Sequence, residues 1–129
     1  IFVGVGRAAL EHAVEYAKTR VQGGVPIIQH QSVKARLFKM FVQVEAARSL
    51  SRRVAHYNAT NPPLIQYSIA SKVNSTNTAF EVASQAIQIF GGNGLTRDFP
   101  VEKLMRDARA SMIEDGCNDL LRPVGASRL

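Results

Sequence analysis

Residues 63–94 read PLIQYSIASKVNSTNTAFEVASQAIQIFGGNG and form one long helical pattern. Mostly apolar side chains recur there at every third or fourth position: Ile65, Ile69, Val73, Thr76, Phe80, Ala83, Ile87 and Phe90. Because this spacing aligns them on one face of an α-helix, it predicts a helix over residues 63–90. The Gly91-Gly92-Asn93-Gly94 run should end that helix, since glycine readily adopts the left-handed conformation that closes helices.

Two earlier segments show the same periodicity. Residues 2–22 present an apolar stripe that consists of Ala9, Leu10, Ala13, Val14, Ala17 and Val21. Residues 31–58 present a broader stripe that consists of Leu37, Met40, Phe41, Val44, Ala47, Leu50 and Val54. Gly23-Gly24 with Pro26 separates the two, and Pro62-Pro63 suits the start of the next helix. We therefore expect three long helices joined by short loops.

The C-terminal third predicts shorter elements. Pro100 is placed to open a helix over residues 100–110, and a further short helix should follow Gly116. Pro123 makes the continuation of that last helix doubtful, because proline lacks an N–H and clashes with the preceding turn. No run of alternating apolar and polar residues is long enough for a sheet. The predicted fold is all-α, an antiparallel four-helix bundle with a short additional C-terminal helix.

The composition is that of an ordinary globular protein. The chain has 129 residues, a common size for one domain, and 46% of them are hydrophobic. Its one cysteine, Cys117, excludes an internal disulfide. No apolar run approaches the roughly 20 residues that span a bilayer, and no secretory signal opens the chain, so we expect no membrane insertion. The first residue is Ile and not Met, which suggests a piece of a longer protein.

The formal net charge of +6 raises the question of an anionic partner. The densest basic residues are interleaved with apolar ones at helical spacing, which is typical of a solvated helix face: Lys34, Arg36, Lys39, Arg48, Arg52 and Arg53. The sequence has no aromatic stacking platform and no zinc-finger spacing. We therefore expect no nucleic-acid binding.

Three other patterns suggest chemistry only weakly. Gly4-Val5-Gly6-Arg7-Ala8-Ala9 resembles a dinucleotide fingerprint, but no strand precedes it and no acidic residue follows at the ribose-binding distance. A di-iron bundle needs Glu-x-x-His, which none of His12, His30 and His56 provides, so we expect no metal site. Cys117 has no histidine near it in the sequence and is interpreted as an inert thiol.

The Glu114-Asp115 pair precedes Gly116 and follows the apolar residues Met112 and Ile113. Adjacent acidic residues before a glycine usually mark a turn or a helix start, where carboxylates cap free N–H groups. A carboxylate at such a boundary is also a candidate general base if an apolar pocket raises its pKa. The residues alone leave both interpretations open.

Several motifs stand in a recognisable order along the chain. They are Arg7-Ala8-Ala9-Leu10-Glu11 with Tyr16, Ala17 and Arg20; Pro26-Ile27 with His30-Gln31; Gln88-Ile89-Phe90-Gly91-Gly92-Asn93-Gly94; Pro100-Val101-Glu102-Lys103-Leu104-Met105-Arg106-Asp107-Ala108-Arg109; and Asp115-Gly116. In this order and spacing the whole chain resembles the C-terminal helical domain of the acyl-CoA dehydrogenases. The Gln88–Gly94 and Pro100–Arg109 segments are the most specific part of the resemblance.

The resemblance implies a function that composition alone does not. Members of the family are flavoenzymes with an N-terminal helical domain, a middle β domain and a C-terminal four-helix bundle. They remove a proton from the α carbon of an acyl-CoA and pass a hydride from the β carbon to FAD. The resemblance also implies a homo-oligomer, a dimer or tetramer, and an electron-transfer flavoprotein as the acceptor. Residues 1–129 would then be the C-terminal domain alone, from a soluble enzyme of the bacterial cytoplasm or mitochondrial matrix.

Cofactor contacts are implied at several positions. Arg20 matches a family arginine that reaches the FAD of a neighbouring subunit, and an arginine fork suits a pyrophosphate. The next positions depart from the family, which commonly has an aromatic residue before the glycine where this chain has Gly23-Gly24. The remaining cofactor-binding residues implied by the resemblance are Gln22, His30, Gln31, Gln88, Gly91, Gly92, Cys117 and Asp119.

The resemblance also implies the catalytic base. An ungapped count from Arg106-Asp107 places Asp115 on the family's catalytic glutamate, and Glu114 is the alternative. Gly116 falls on the glycine whose N–H polarises the thioester carbonyl, and so it is the predicted substrate contact. Aspartate is one methylene shorter than glutamate, so altered chemistry is a third possibility. A helical oligomerisation or anion-binding module without catalysis is the alternative from another functional class.

Overall fold

The computed structural model describes residues 1–129 and contains five α-helices. They are α1 (Phe2–Thr19), α2 (Gln31–Thr60), α3 (Ile65–Phe90), α4 (Val101–Ser111) and α5 (Asn118–Ala126). The all-α prediction is confirmed, with three long helices followed by two short ones. No helix is both long and apolar enough to pass through a bilayer.

The central element is α3, which packs against each of the other four helices. Its buried residues therefore extend beyond the single predicted stripe, and Ala79, Val82 and Ala86 are fully buried while Ile65 is 45% exposed. Alanines also form the buried face of α1, where Ala9, Ala13 and Ala17 have no exposed surface. Small side chains at this contact let the two helices approach closely, and they leave the site residues at the helix ends in fixed positions.

The glycine-rich start of the chain is helical. Gly4 and Gly6 both lie within α1, so the segment has no strand–turn–helix geometry. Gly6 is buried against α3, where an added Cβ would lie 3.4 Å from the Cα of Ala79. These glycines serve helix packing and do not form a dinucleotide fingerprint.

A short hairpin replaces the predicted end of α1. The helix stops at Thr19, because Arg20 adopts an extended backbone with φ −72° and ψ 124°. Strand β1 (Val21–Gln22) pairs antiparallel with strand β2 (Val25–Pro26). The expectation that the chain contains no sheet was therefore wrong at this point, since two-residue strands are too short to show alternation.

Three prolines relate to the helices differently from the prediction. Helix α5 continues through Pro123, and the Pro123 carbonyl accepts a hydrogen bond from the Ser127 N–H at 3.0 Å. The doubt about this helix was misplaced, because in a helix this short the proline removes only one hydrogen bond. Pro62 and Pro63 precede α3 without entering it, and α2 extends two residues beyond its predicted end at Asn58.

Candidate functional site

Five of the predicted cofactor residues line one cavity. It has a volume of about 210 Å³ and lies between the C-terminal end of α1 and the C-terminal end of α3. Its lining includes the predicted residues Arg20, Gln22, Gln88, Gly91 and Gly92. These residues come from a helix end, a hairpin and a glycine turn, so helix packing brings together groups that are distant in the sequence.

Aromatic packing holds the walls of this cavity. The rings of Tyr16 and Phe90 stack with their centroids 4.0 Å apart, and Phe99 meets both rings edge-on. The Asn93 side-chain amide donates to the Tyr16 hydroxyl at 2.9 Å, and this hydroxyl lies 3.5 Å from the Phe90 carbonyl oxygen. These contacts fix the glycine turn after α3 against α1.

The glycine turn offers open backbone. Gly91 ends α3 with φ +63° and ψ −140°, a conformation that side chains strongly disfavour. An added Cβ at Gly91 or Gly92 would meet nothing within 4 Å, so a ligand can approach the backbone directly. Arg20 is exposed at the same cavity, and none of the seven ion pairs uses its guanidinium. Open backbone and an unpaired arginine fork fit a pyrophosphate group.

A second cavity, of about 280 Å³, adjoins the first. The two share Gln22 and Gln88 in their lining, and the second adds His30 and Arg36. A ring nitrogen of His30 (Nε2) lies 3.1 Å from the Gln22 carbonyl oxygen, which ties the hairpin to the start of α2. Gln31 lines neither cavity and is exposed at the first residue of α2, so the structure does not bring it into this group.

Arg36, Tyr16 and Asn93 are site residues that the sequence analysis missed. Arg36 is half-buried and donates to the Gln85 side chain, although its pattern had suggested a solvated face. Its position in the second turn of α2, soon after His30-Gln31, was the available indication. Tyr16 and Asn93 stood within the quoted motifs, but their contact across the bundle depends on tertiary packing.

The predicted base lies in the turn between α4 and α5, residues 112–117, which we name the base turn. Glu114, Asp115 and Gly116 are all exposed there, and neither carboxylate accepts a hydrogen bond or forms an ion pair within the chain. Asp115 has φ +52°, which aspartate tolerates better than most residues. Gly116 has φ +92°, and a Cβ there would lie 3.2 Å from the Leu121 side chain. The turn interpretation of the acidic pair is correct, although the carboxylates do not cap N–H groups.

A polar network connects this turn to α3. The Lys72 ammonium donates to the Gly116 carbonyl at 2.6 Å and to the Asn118 side-chain oxygen at 2.8 Å. Asn118 is 2% exposed, and its amide donates to Thr76 at 2.9 Å and to Asn77 at 3.1 Å. The sequence analysis missed Lys72, since nothing in the local pattern distinguishes it from a surface lysine.

The predicted residues therefore form two separate groups. Thr76 and Gln88 are 12 residues apart on α3, which is about 18 Å along the helix axis. Cys117 is half-buried at the end of the base turn, and Asp119 forms an exposed ion pair with Arg122 at 2.9 Å. Within one chain, Cys117 and Asp119 therefore lie near Asp115 and not near Gln88.

The family model for the C-terminal domain of acyl-CoA dehydrogenases matches residues 1–129. The chain belongs to the acyl-CoA dehydrogenase family. An acyl-CoA dehydrogenase of Bacillus subtilis (strain 168) is 39% identical over 120 residues, which are 93% of this chain and 32% of the relative.

Solved structures agree with this family membership. The butyryl-CoA dehydrogenase of Megasphaera elsdenii superposes with a TM-score of 0.94 at 36% identity, over 98% of this chain and 33% of that one. The FAD complex of PigA superposes with a TM-score of 0.90 at 29% identity, over the same shares of the two chains. This acyl-CoA dehydrogenase family chain thus spans about a third of the length of the relatives it matches.

Proposed function

We propose that this chain is the C-terminal helical domain of an FAD-dependent dehydrogenase that oxidises the α,β bond of an acyl-CoA thioester. The relatives from Bacillus and Megasphaera carry acyl-CoA and butyryl-CoA dehydrogenase names, and PigA has an FAD complex. The observation that carries the proposal is the cavity in which Arg20, Gln88 and Gly91 converge from separate segments. In the complete enzyme this cavity would receive part of an FAD across a subunit interface.

The first group of residues fits the diphosphate half of FAD. The Arg20 guanidinium would bind phosphate oxygens through two parallel hydrogen bonds. The open backbone at Gly91 and Gly92 would let the diphosphate approach closely, and the Gln88 amide would add a neutral polar contact. His30 and Gln22 would border the same cofactor from the hairpin. When bound, FAD supplies the acceptor for the hydride that leaves the β carbon of the substrate.

The second group fits proton removal. We assign Asp115 as the base that takes the proton from the substrate α carbon, with Glu114 as the alternative. No backbone hydrogen bond uses the Gly116 N–H, so this donor is free to bind the thioester oxygen as negative charge develops there. Aspartate reaches about 1.5 Å less far than glutamate, and positioned chemistry is sensitive to such a difference. The turn must therefore hold Asp115 closely against the substrate.

Substitution of the two acidic residues in the full-length protein tests the assignment. We expect Asp115→Asn to slow flavin reduction by acyl-CoA about 10²- to 10⁴-fold, the usual contribution of a positioned base. The matched variant Glu114→Gln should stay within about threefold of the parent, since its side chain would lie outside the reacting pair. Anaerobic stopped-flow bleaching of the flavin absorbance measures both. The reverse result would assign the base to Glu114, and normal rates in both variants would contradict the mechanism.

Exposed apolar residues favour a second candidate function. Phe38, Phe41 and Val42 of α2 are 67%, 49% and 48% exposed, and the two phenylalanine rings stack at 6.2 Å. An apolar patch of this kind is typical of a contact surface, so an oligomerisation module without chemistry is the alternative. A full-length protein that self-associates but binds no FAD would support this alternative. A yellow oligomer that is reduced by acyl-CoA and reoxidised by an electron-transfer flavoprotein would support the enzyme.

A further inference from the structure

We propose that Lys72 is a positioning residue for the Asp115-Gly116 turn, and that it sets the geometry of the base through the Gly116 carbonyl and Asn118. The inference rests on the proposed function, because it assigns a role in the proton removal attributed to Asp115. Lys72 itself touches neither substrate nor cofactor in this assignment. It acts by fixing the backbone that carries both the base and the Gly116 N–H.

The geometry of Lys72 is that of a clamp between two elements. The lysine lies in the first third of α3, and its ammonium makes two short hydrogen bonds across to the base turn. One acceptor is the Gly116 carbonyl at 2.6 Å and the other is the Asn118 side chain at 2.8 Å. Hydrogen bonds from a charged donor are stronger than neutral ones, so this clamp is the strongest polar link between the turn and α3.

Few backbone hydrogen bonds close the turn, among them the one from the Asn118 N–H to the Met112 carbonyl at 2.9 Å. The backbone N–H groups of Asp115, Gly116 and Cys117 make no backbone hydrogen bonds. Asp115 and Gly116 both have positive φ, a combination that must be maintained by contacts with the surroundings. Fixing the Gly116 carbonyl restrains the ψ angle of Gly116. The free N–H donor lies in the adjoining Asp115–Gly116 peptide, which shares the Gly116 Cα with the anchored carbonyl.

Asn118 makes the clamp rigid. It is buried, and both ends of its amide are engaged, with Lys72 on the oxygen and Thr76 and Asn77 on the nitrogen. All three partners lie on α3, the helix around which the bundle packs. Because the buried Asn118 amide is satisfied at both ends, it specifies one arrangement, and the turn is held to the central helix of the domain.

The test compares Lys72→Met with Lys72→Arg in the full-length holoprotein. Methionine keeps the length of the stem and removes the donors, whereas arginine keeps the donors. Lys18→Met is the matched control, since Lys18 is exposed on α1 and pairs only with Glu15. Amide hydrogen exchange of a peptide that covers residues 112–121 reports the turn directly. Steady-state kinetics with acyl-CoA report kcat and KM separately.

We expect Lys72→Met to speed amide exchange in the turn at least about fivefold, because local opening becomes easier. Its kcat should fall about 10- to 100-fold with KM within about threefold, the pattern of a misplaced base with intact binding. Lys72→Arg should recover most of the rate, and Lys18→Met should match the parent in both measurements. Asn118→Ala, which breaks the clamp from the other side, should also speed exchange in the turn.

Three outcomes overturn the inference. Unchanged amide exchange and unchanged kcat in Lys72→Met exclude a positioning role. A loss of rate in Lys72→Met that is accompanied by loss of FAD, and that Lys72→Arg does not recover, excludes it as well. The Asp115→Asn variant, measured alongside, separates the two proposals. A slow Asp115→Asn with a normal Lys72→Met overturns the positioning role and leaves the proposed function intact. A normal Asp115→Asn overturns the role of Lys72 in placing Asp115, and it overturns the proposed function as well when Glu114→Gln is also normal.

Discussion

The cavity at the end of α3 and the turn between α4 and α5 are built in different ways. Around the cavity, Tyr16, Phe90 and Phe99 pack their rings together, and the site residues follow from the positions of whole helices. At the turn, Asp115 and Gly116 adopt positive φ angles, and only Lys72 and the buried Asn118 tie the turn to α3 through side-chain hydrogen bonds.

This difference predicts different responses to substitution. Aromatic packing spreads the stabilisation of the cavity over many contacts, so the loss of one group should weaken binding in steps of modest size. The turn depends on few contacts and on strained backbone. The loss of a single contact there should therefore remove most of the stabilisation of the turn. The variants below test this contrast between the two regions, beginning with the largest expected effect.

The largest effect is expected from Gly116→Ala. Alanine at φ +92° is strained, and its Cβ would press on Leu121, so the turn should be destabilised by about 1–3 kcal/mol. Flavin reduction in the full-length protein should fall about 10- to 100-fold, because the turn positions the proposed base. Gly92→Ala is the control in the cavity, where an added Cβ meets nothing within 4 Å. Its thermal midpoint should stay near that of the parent, and equal destabilisation in both variants would contradict the contrast.

An effect confined to FAD affinity is expected from Arg20→Ala in the cavity. Loss of the guanidinium should weaken FAD binding about 10- to 100-fold, the usual value of charge-assisted hydrogen bonds to phosphate, with little change in the flavin reduction rate once FAD is saturating. Arg20→Lys should recover part of the affinity, since a lysine keeps the charge but not the fork. Fluorescence titration of the full-length apoprotein with FAD measures both. An unchanged affinity in Arg20→Ala would remove Arg20 from the proposed site.

A smaller effect again is expected from Tyr16→Phe. The ring stacking on Phe90 is kept, while the hydrogen bonds of the hydroxyl with the Asn93 amide and the Phe90 carbonyl are lost. The free energy of unfolding should fall by about 1 kcal/mol, the typical value of one good hydrogen bond, since the contact with the Phe90 carbonyl is long at 3.5 Å. Tyr67→Phe is the matched control, since the hydroxyl of Tyr67 makes no hydrogen bond within the chain and its ring still stacks under Arg53. Denaturant titration of the full-length variants compares them, and equal loss in both would exclude a special role for the Tyr16 hydroxyl.

The sequence predicted the helices of this fold better than its close contacts. Periodic apolar residues located α2 and α3 to within two residues, and Gly91 ends α3 as expected. Spacing alone could not show that α3 is buried on several sides, because this depends on how many helices surround it. The hairpin at Val21–Pro26 was missed for a similar reason, since its strands are held by pairing and not by a local pattern.

The candidate site shows the same limit. The motif order brought Arg20, Gln88 and Gly91 into one hypothesis, and the structure places all three around one cavity. The sequence analysis identified neither Arg36 nor Lys72 as a site residue. A basic residue on a helix occupies the same kind of position in the sequence whether its charged group faces solvent or contacts another element. Contacts between residues 44 or 46 positions apart, such as those of Lys72, arise only from the packed bundle.

The smallest effect is expected from the ion pair between Glu81 of α3 and Lys39 of α2, which lies between the two regions along α3. Hydrogen bonds from Lys39 and Gln43 hold the pKa of Glu81 below its ordinary value. Because the folded-state pKa is lowered, the stabilisation is present above the unfolded value of about 4.3 and is lost as the pH falls through the lower folded value. Both side chains are largely exposed, so screening keeps the contribution at pH 7 to a few tenths of a kcal/mol.

Glu81→Gln should therefore be slightly less stable than the parent at pH 7, and the difference should shrink at an acidic pH below the lowered folded pKa, where the parent carboxylate is protonated. Chemical denaturation of the full-length protein at both pH values measures the change, and Lys39→Met should show the same loss at pH 7. A difference that grows on acidification would contradict the sign of the pKa shift. Flavin reduction and amide exchange in the base turn should stay unchanged in Glu81→Gln, since the pair contributes to neither region. A change in either measurement would show that α3 couples the cavity to the turn, so the two regions could no longer be treated as independent.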